Sequence, residues 1–299
     1  MKFGLMMGLG VGTGCAYPEY LSQAVVRAEE VGFESVWAGE HVVMPDYQPN
    51  YPYTEDGALP QPHETDVADP LIWLTYAAAL TSRIRLATGV VVLPLRNPVV
   101  LAKQVASLDL LSGGRAMLGI GVGWMREEAD VVGVPFDGRG ERTDEFVGAM
   151  RSLWSEDISS FHGQHVTFGG ARSFPKPVQT GRRVPIIVGG SGPAAARRAG
   201  RIGDGYYPIA PTVDVLAAQI ELMRSAAKEA DRDPDEVEVS TMAFSLVGSD
   251  PVSQARLDDF HRMEDLGVTR IVAPRLLDFE KALMLDSLER LGEQLVGAY

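Results

Sequence analysis

Three short stretches of this sequence hold residue types that can do chemistry. Gly39-Glu40-His41 sets a histidine beside a carboxylate, a pairing that can hold and pass a proton near neutral pH. It reads equally as a capped turn with a satisfied surface histidine. Gly119-Ile120-Gly121-Val122-Gly123-Trp124 alternates glycines and ends on an indole. Glycines at that spacing let a flat ligand approach the backbone closely, and Trp124 can stack on a ring. Tight packing between neighbouring strands, with a core tryptophan, explains the same pattern. Of the adjacent Glu127 and Glu128, residue type alone has one capping a helix or pairing with an arginine, and gives neither a catalytic role. Gly189-Gly190-Ser191-Gly192-Pro193 precedes a segment rich in alanine and arginine. Free backbone N–H groups there, with a helix dipole behind them, form an anion site suited to phosphate, and proline fits the first helical position. An ordinary left-handed turn is the plain alternative.

The elements that position these stretches follow from periodicity. Apolar strand-like runs occupy 3–7, 33–38, 84–93, 116–122, 185–188, 205–209, 237–247 and 270–273. Between them lie helical patterns at 18–31, from Asp69-Pro70, from Asn97-Pro98 to Gly113-Gly114, and at 143–154, 193–202, 213–230, 253–266 and 279–296. Asp69 and Asn97 are N-cap residues with proline in the first turn. The run 84–93 reads as one continuous strand buried on both faces. Eight strand-then-helix units require a parallel sheet with helical crossovers, and they predict a closed (β/α)8 TIM barrel spanning 1–299 as a single domain. An open doubly wound sheet is the alternative, but Gly8, Gly10, Gly12 and Gly14 alternate where that fold places GxGxxG. Two insertions break the rhythm, 42–68 after the second strand and 155–184 before the fifth. The first carries Tyr47, Tyr51 and Tyr53 and emerges where barrel enzymes keep their active sites, so it is expected to form a lid or substrate wall. A barrel brings all three stretches to one mouth.

Composition narrows the function. With 45% hydrophobic and 22% charged residues over 299 positions, the chain is neither disordered, fibrous nor a disulfide-stapled mini-protein. Forty acidic against twenty-seven basic residues give a net charge of −13, which disfavours nucleic acid and anionic membrane surfaces as partners. The lone Cys15 cannot form an internal disulfide, no apolar run approaches a membrane span, and the N-terminus shows no signal-peptide pattern. A soluble, cytoplasmic protein is expected. The five histidines, at 41, 63, 162, 165 and 261, are scattered; His162 and His165 lack companion ligands, so no metal is expected. No GxSxG elbow appears, and Cys15 has no evident histidine partner. The mouth reads as built for a phosphorylated, planar, redox-type cofactor.

The three stretches belong to a longer series: Phe3 to Met6, Phe33 to His41, Ile84 to Val90, Asn97-Pro98 with Lys103-Gln104, Ser112 to Arg115, Gly121 to Trp124 with Glu128, Pro185 to Pro193, and Arg201 with Gly203-Asp204-Gly205. In this order, over nearly the whole chain, the series resembles the luciferase-like monooxygenase superfamily, and within it the enzymes that use the deazaflavin coenzyme F420. The resemblance implies a TIM barrel with the ring lying across its mouth, and a non-prolyl cis peptide at Gly89–Val90 backing that ring. It implies acid–base roles for Glu40 and His41, phosphate capture by Gly189, Gly190, Ser191 and Gly192, and ring-edge contacts from Gly121, Val122, Gly123, Trp124 and Glu128. It also implies a homodimer. Trp124 stands where sugar-phosphate dehydrogenases of the family carry a glutamate proton donor, and Tyr206-Tyr207-Pro208-Ile209 lacks the lysine a sugar phosphate needs. The expected activity is F420-dependent hydride transfer to or from a neutral or hydrophobic organic substrate. FMN-dependent monooxygenation, with a partner flavin reductase, is the second reading, and a non-catalytic flavin-binding barrel the third.

Overall fold

Asp69 and Asn97 start their helices as capping chemistry requires: Asp69 Oδ1 accepts from the Leu71 and Ile72 amides, and Asn97 Oδ1 from those of Val99 and Val100. The structure, a computed structural model, describes residues 1–7, 17–46, 51, 57, 66–209, 212–242, 254–273, 286 and 288–296. Cys15, Tyr47, Tyr53, His63, the alternating glycines at 8–14, the strand-like run beyond Met242 and the tail at 279–285 lie outside the described residues, as do residues 52–56 and 58–65 of the expected lid.

The strands are β1 (Lys2–Met7), β2 (Ser35–Ala38), β3 (Arg85–Thr88), β4 (Val91–Val92), β5 (Ala116–Gly121), β6 (Ser159–His162), β7 (Thr167–Ala171), β8 (Ile186–Gly189), β9 (Gly205–Tyr207), β10 (Glu238–Met242) and β11 (Val268–Ala273). The helices are α1 (Tyr17–Glu30), α2 (Pro70–Leu80), α3 (Pro98–Ser112), α4 (Arg126–Val132), α5 (Arg139–Ser155), α6 (Pro193–Ile202), α7 (Val213–Glu229) and α8 (Gln254–Asp265). Parallel pairing runs β1–β2–β3–β5–β8–β9–β10–β11 and returns to β1. The Leu86↔Ala116 and Ala87↔Met117 registers join β3 to β5 and close the ring. This is a (β/α)8 TIM barrel.

One expectation needs correction. The apolar run 84–93 is not one strand: pairing stops at Thr88, the Gly89–Val90 peptide is cis, β4 resumes at Val91, and a 3-10 turn follows at Leu93–Leu95. Apolarity marks burial there, but it cannot show where the ladder breaks. The stretch 155–184 holds an antiparallel hairpin, β6–β7, whose alternating exposure gives little apolar signal. Helix α4, between β5 and α5, was also invisible to periodicity, being about two turns long and ended by Gly133.

Period-two alternation sends one face of each strand outward against the helices and the other into the lumen. Met6, Trp37, Ala87 and Met117 are successive register partners and form one inner layer, joined by Ile187, Tyr207 and Val272. Tyr207 packs on Trp37 with ring centroids 4.7 Å apart. At the opposite, N-terminal end, fully buried Arg270 donates to Glu34 at 2.7 and 2.8 Å and to Glu238 at 3.0 Å. On the outside, Ile72, Tyr76 and Leu80 form an exposed stripe on α2 beside Val100 and Leu111 of the neighbouring α3. Among the described residues no helix is long and apolar enough to cross a membrane.

Candidate active site

The three chemical stretches leave β2, β5 and β8 at their C-terminal ends, so the closed ring gathers them around one mouth. Val90 is the half-buried residue at the centre of its floor, packed on the Met6–Trp37–Tyr207 layer. A Cβ added to Gly121 would lie 2.8 Å from Val90 Cγ2, and one on Gly189 2.7 Å from Val90 Cγ1. At Gly123, where φ is +81°, it would lie 2.7 Å from Val92 Cγ1. Gly121, Gly123 and Gly189 are therefore accounted for by the side chains of Val90 and Val92 crossing β5 and β8, whereas Gly119 is required by the backbone, since a Cβ there would lie 1.9 Å from the Thr88 carbonyl oxygen. Trp124 is not a core residue. Half-buried, it meets His41 edge-to-face at 5.9 Å and Tyr51 at 5.4 Å. Val122 is half-buried beside it.

Glu40 and His41, neighbours in sequence, serve different partners. The Glu40 carboxylate accepts the Val92 amide at 2.6 Å and Arg96 Nε at 2.7 Å, with a further short bond from Arg96 Nη2. Arg96 also reaches Asp69 Oδ2 at 2.6 Å, so one guanidinium ties the β2 exit, the β4 turn and the α2 cap together. Burial pushes the Glu40 carboxyl above the usual carboxylate range, against the pull of Arg96. The carboxylate that His41 faces is Glu128, with Nδ1 3.6 Å from Oε1. Among the described residues no lysine or arginine nitrogen lies within 4.0 Å of Glu128, and its Oε1 accepts the Val42 amide at 2.5 Å.

The loop after β8 is pinned from below. Ser191 Oγ donates to the Ile209 carbonyl and accepts the Ile209 amide at 3.0 Å, while Gln219 holds the Ser191 carbonyl at 2.6 Å. Gly190 takes φ +119°, a conformation that glycine supplies without strain. The N–H groups of Ser191, Gly192 and Ala194 have no acceptor among the described residues, and a Cβ on Gly192 would meet nothing within 4 Å. Three free donors at the start of α6, with open space above them, fit a phosphate group. The Ser191 hydroxyl, being used within the loop, is a brace.

Sequence reasoning missed Arg96 and Arg139, which donates from Nε to the Gly123 carbonyl at 3.1 Å behind Trp124. Arg96 precedes the Asn97 cap at a strand exit, a position that could have drawn notice in a barrel. A separate cleft of about 950 Å³, lined by Arg151, Arg183, Arg201, Asp204 and Arg232, opens at the N-terminal end. Its arginines are engaged: Asp204 holds Arg151 at 2.8 Å and Arg183, and Arg232 caps the Gly200 and Gly203 carbonyls at 2.5 and 2.6 Å. Among the described residues no three histidine, cysteine, aspartate or glutamate side chains group as a metal site would require.

Comparison with known proteins bears on this mouth. A family model described as luciferase-like monooxygenase matches residues 1–270. An F420-dependent glucose-6-phosphate dehydrogenase of Kineococcus radiotolerans is 39% identical over 193 residues, covering 63% of this chain and 52% of that protein. The chain thus spans about half of that relative's length. Among solved structures, the coenzyme F420-dependent tetrahydromethanopterin reductase of Methanopyrus kandleri superposes with a TM-score of 0.76, at 20% identity over 100% of this chain and 99% of that one. The oxygenating constituent of 3,6-diketocamphane monooxygenase from Pseudomonas putida, in complex with FMN, gives 0.74 at 20% identity over 99% and 98%. Both structural likenesses show the fold.

Proposed function

Because this chain belongs to the luciferase-like monooxygenase family, we propose that it is an F420-dependent oxidoreductase acting on a neutral or hydrophobic organic substrate. The observation that carries this reading is the meeting, at one barrel mouth, of three free amides at the start of α6, an apolar Val90 floor, and His41. The amides of Ser191, Gly192 and Ala194 hold the cofactor phosphate, and Val90 with Gly89 supports the ring. When bound, F420 supplies the hydride chemistry. The protein's own share is placement, exclusion of water, and a proton held or taken at His41. Glu40, locked to Arg96 and Val92, shapes the mouth rather than reaching into it.

A sugar phosphate is disfavoured because the exit of β9, Tyr206-Tyr207-Pro208-Ile209, holds no lysine. The chain has five lysines, and three of those described are committed elsewhere: Lys2 to Glu238 at 2.6 Å, Lys103 to the Phe174 carbonyl, and Lys176 to that of Leu153 at 2.8 Å. The FMN monooxygenase remains the second reading, since main-chain donors hold an FMN phosphate equally well. The oligomer we propose is a homodimer, a second copy covering the α2–α3 stripe, because five apolar side chains stay exposed on two helices that touch each other.

The test is a side-by-side titration of the purified protein with F420 and FMN, followed by fluorescence. Micromolar or tighter F420 with much weaker FMN is the expected result, and His41→Ala then spares binding while lowering turnover. The reverse preference makes the enzyme a reduced-flavin monooxygenase. Binding of neither removes the cofactor assignment.

A further inference from the structure

Glu128 has no role in the function proposed above, yet its surroundings are unusual. It is 2% exposed, and its carboxylate receives one amide, from Val42. A buried carboxylate is costly unless donors or a cation compensate it. The group available is His41, whose Nδ1 lies 3.6 Å from the same Oε1 and is itself buried without a hydrogen-bond partner. The His41 side chain stays 13% exposed, and Nε2 is not among the buried atoms left without a partner. Trp124 closes the ring in edge-on.

Electrostatics permits one arrangement of the neutral imidazole. A bare Nδ1 lone pair directed at a carboxylate oxygen is repulsive, whereas Nδ1–H directed there is attractive and gives the unpartnered Nδ1 an acceptor. We propose that Glu128 is the positioning residue of a Glu128–His41 dyad: it holds the neutral ring with its proton on Nδ1, leaving the Nε2 lone pair to take a proton from substrate. The imidazolium formed by that transfer then faces a carboxylate. The 3.6 Å gap needs a shift of only a few tenths of an ångström to become a hydrogen bond, and such contacts tighten when a site fills. Oε1 is fixed by the Val42 amide, so the geometry is set by the chain. The role rests on His41 being the proton carrier proposed above, but the tautomer does not.

The experiment is NMR of cofactor-free protein labelled with ¹⁵N in the histidine rings, with the His41 signals assigned by their loss in His41→Asn. In the native chain the neutral ring carries its proton mainly on Nδ1. Glu128→Gln keeps that tautomer, because its amide oxygen stays under the Val42 N–H. Glu128→Met, similar in size but without an acceptor, releases a large fraction of the proton to Nε2. A native ring protonated mainly on Nε2, or a Met variant that retains Nδ1–H, overturns the proposal. In the loaded enzyme, Glu128→Gln is expected to lower kcat about 10- to 100-fold with cofactor Kd changed less than about twofold; an unchanged kcat overturns the catalytic part. Failure of F420 to bind would instead overturn the cofactor assignment and leave the tautomer result standing.

Discussion

Val90 gives the sharpest test of how the mouth is built. An added methyl on Gly121 would stand 2.8 Å from Val90 Cγ2, about 1 Å inside the optimal separation of two carbon atoms. Gly121→Ala should therefore cost about 1–3 kcal/mol by overpacking, partly offset by about 0.5 kcal/mol from a stiffer unfolded chain. Val90→Ala removes two methyl groups from a half-buried site and should cost about 1 kcal/mol. Combined, the two changes relieve each other, so the double variant should be more stable than the sum predicts by about 1–2 kcal/mol. Urea unfolding followed by circular dichroism closes this cycle, and the same four proteins titrated with F420 should differ less than about threefold between Val90→Ala and the double variant. A coupling below about 0.3 kcal/mol, or affinity lost in step with the added methyl whatever stands at 90, would refute the claim that the glycine serves the valine.

Three further outcomes follow from the same contacts. Ser191→Ala removes both bonds to Ile209, so cofactor affinity should fall about tenfold with little change in the melting temperature; calorimetric titration measures it. Against the upward push of burial, Arg270 and Lys2 draw the Glu238 carboxyl from 4.5 down to about 2, so its contribution is fully present above the unfolded value and is lost as pH falls from roughly 5 toward 2. That shift corresponds to about 3 kcal/mol, discounted to about 1–2 because Glu238 is partly solvated, and urea midpoints from pH 7 to 3 should flatten in Glu238→Gln. Ile72→Asp with Leu111→Asp should convert a dimer to a monomer by light scattering without changing the circular dichroism spectrum.

Much of the barrel was legible because its signals are local. Asp69-Pro70, Asn97-Pro98 and Pro193 announce helix starts by capping chemistry alone, and all three begin where expected. Apolar runs located the strands, but burial has no sign for a broken ladder, so the interruption after Thr88 stayed hidden. The site was legible as a set of stretches rather than as a set of pairs. Glu40 and His41 look coupled because they are adjacent, yet they diverge to Arg96 and Glu128, 56 and 87 residues farther along the chain. Partners at that separation are set by which loops the closed ring brings together. No local pattern encodes them.

The loop after β8 has a consequence for how such a protein can change its chemistry. Its donors are main-chain amides, and its one polar side chain is turned inward as a brace. As the phosphate anchor proposed above, such a loop would read a terminal dianion and be blind to the molecule hanging from it. Exchange of one redox coenzyme for another then needs no new anchor, only a reshaped floor and edge around residues such as Val90 and Trp124.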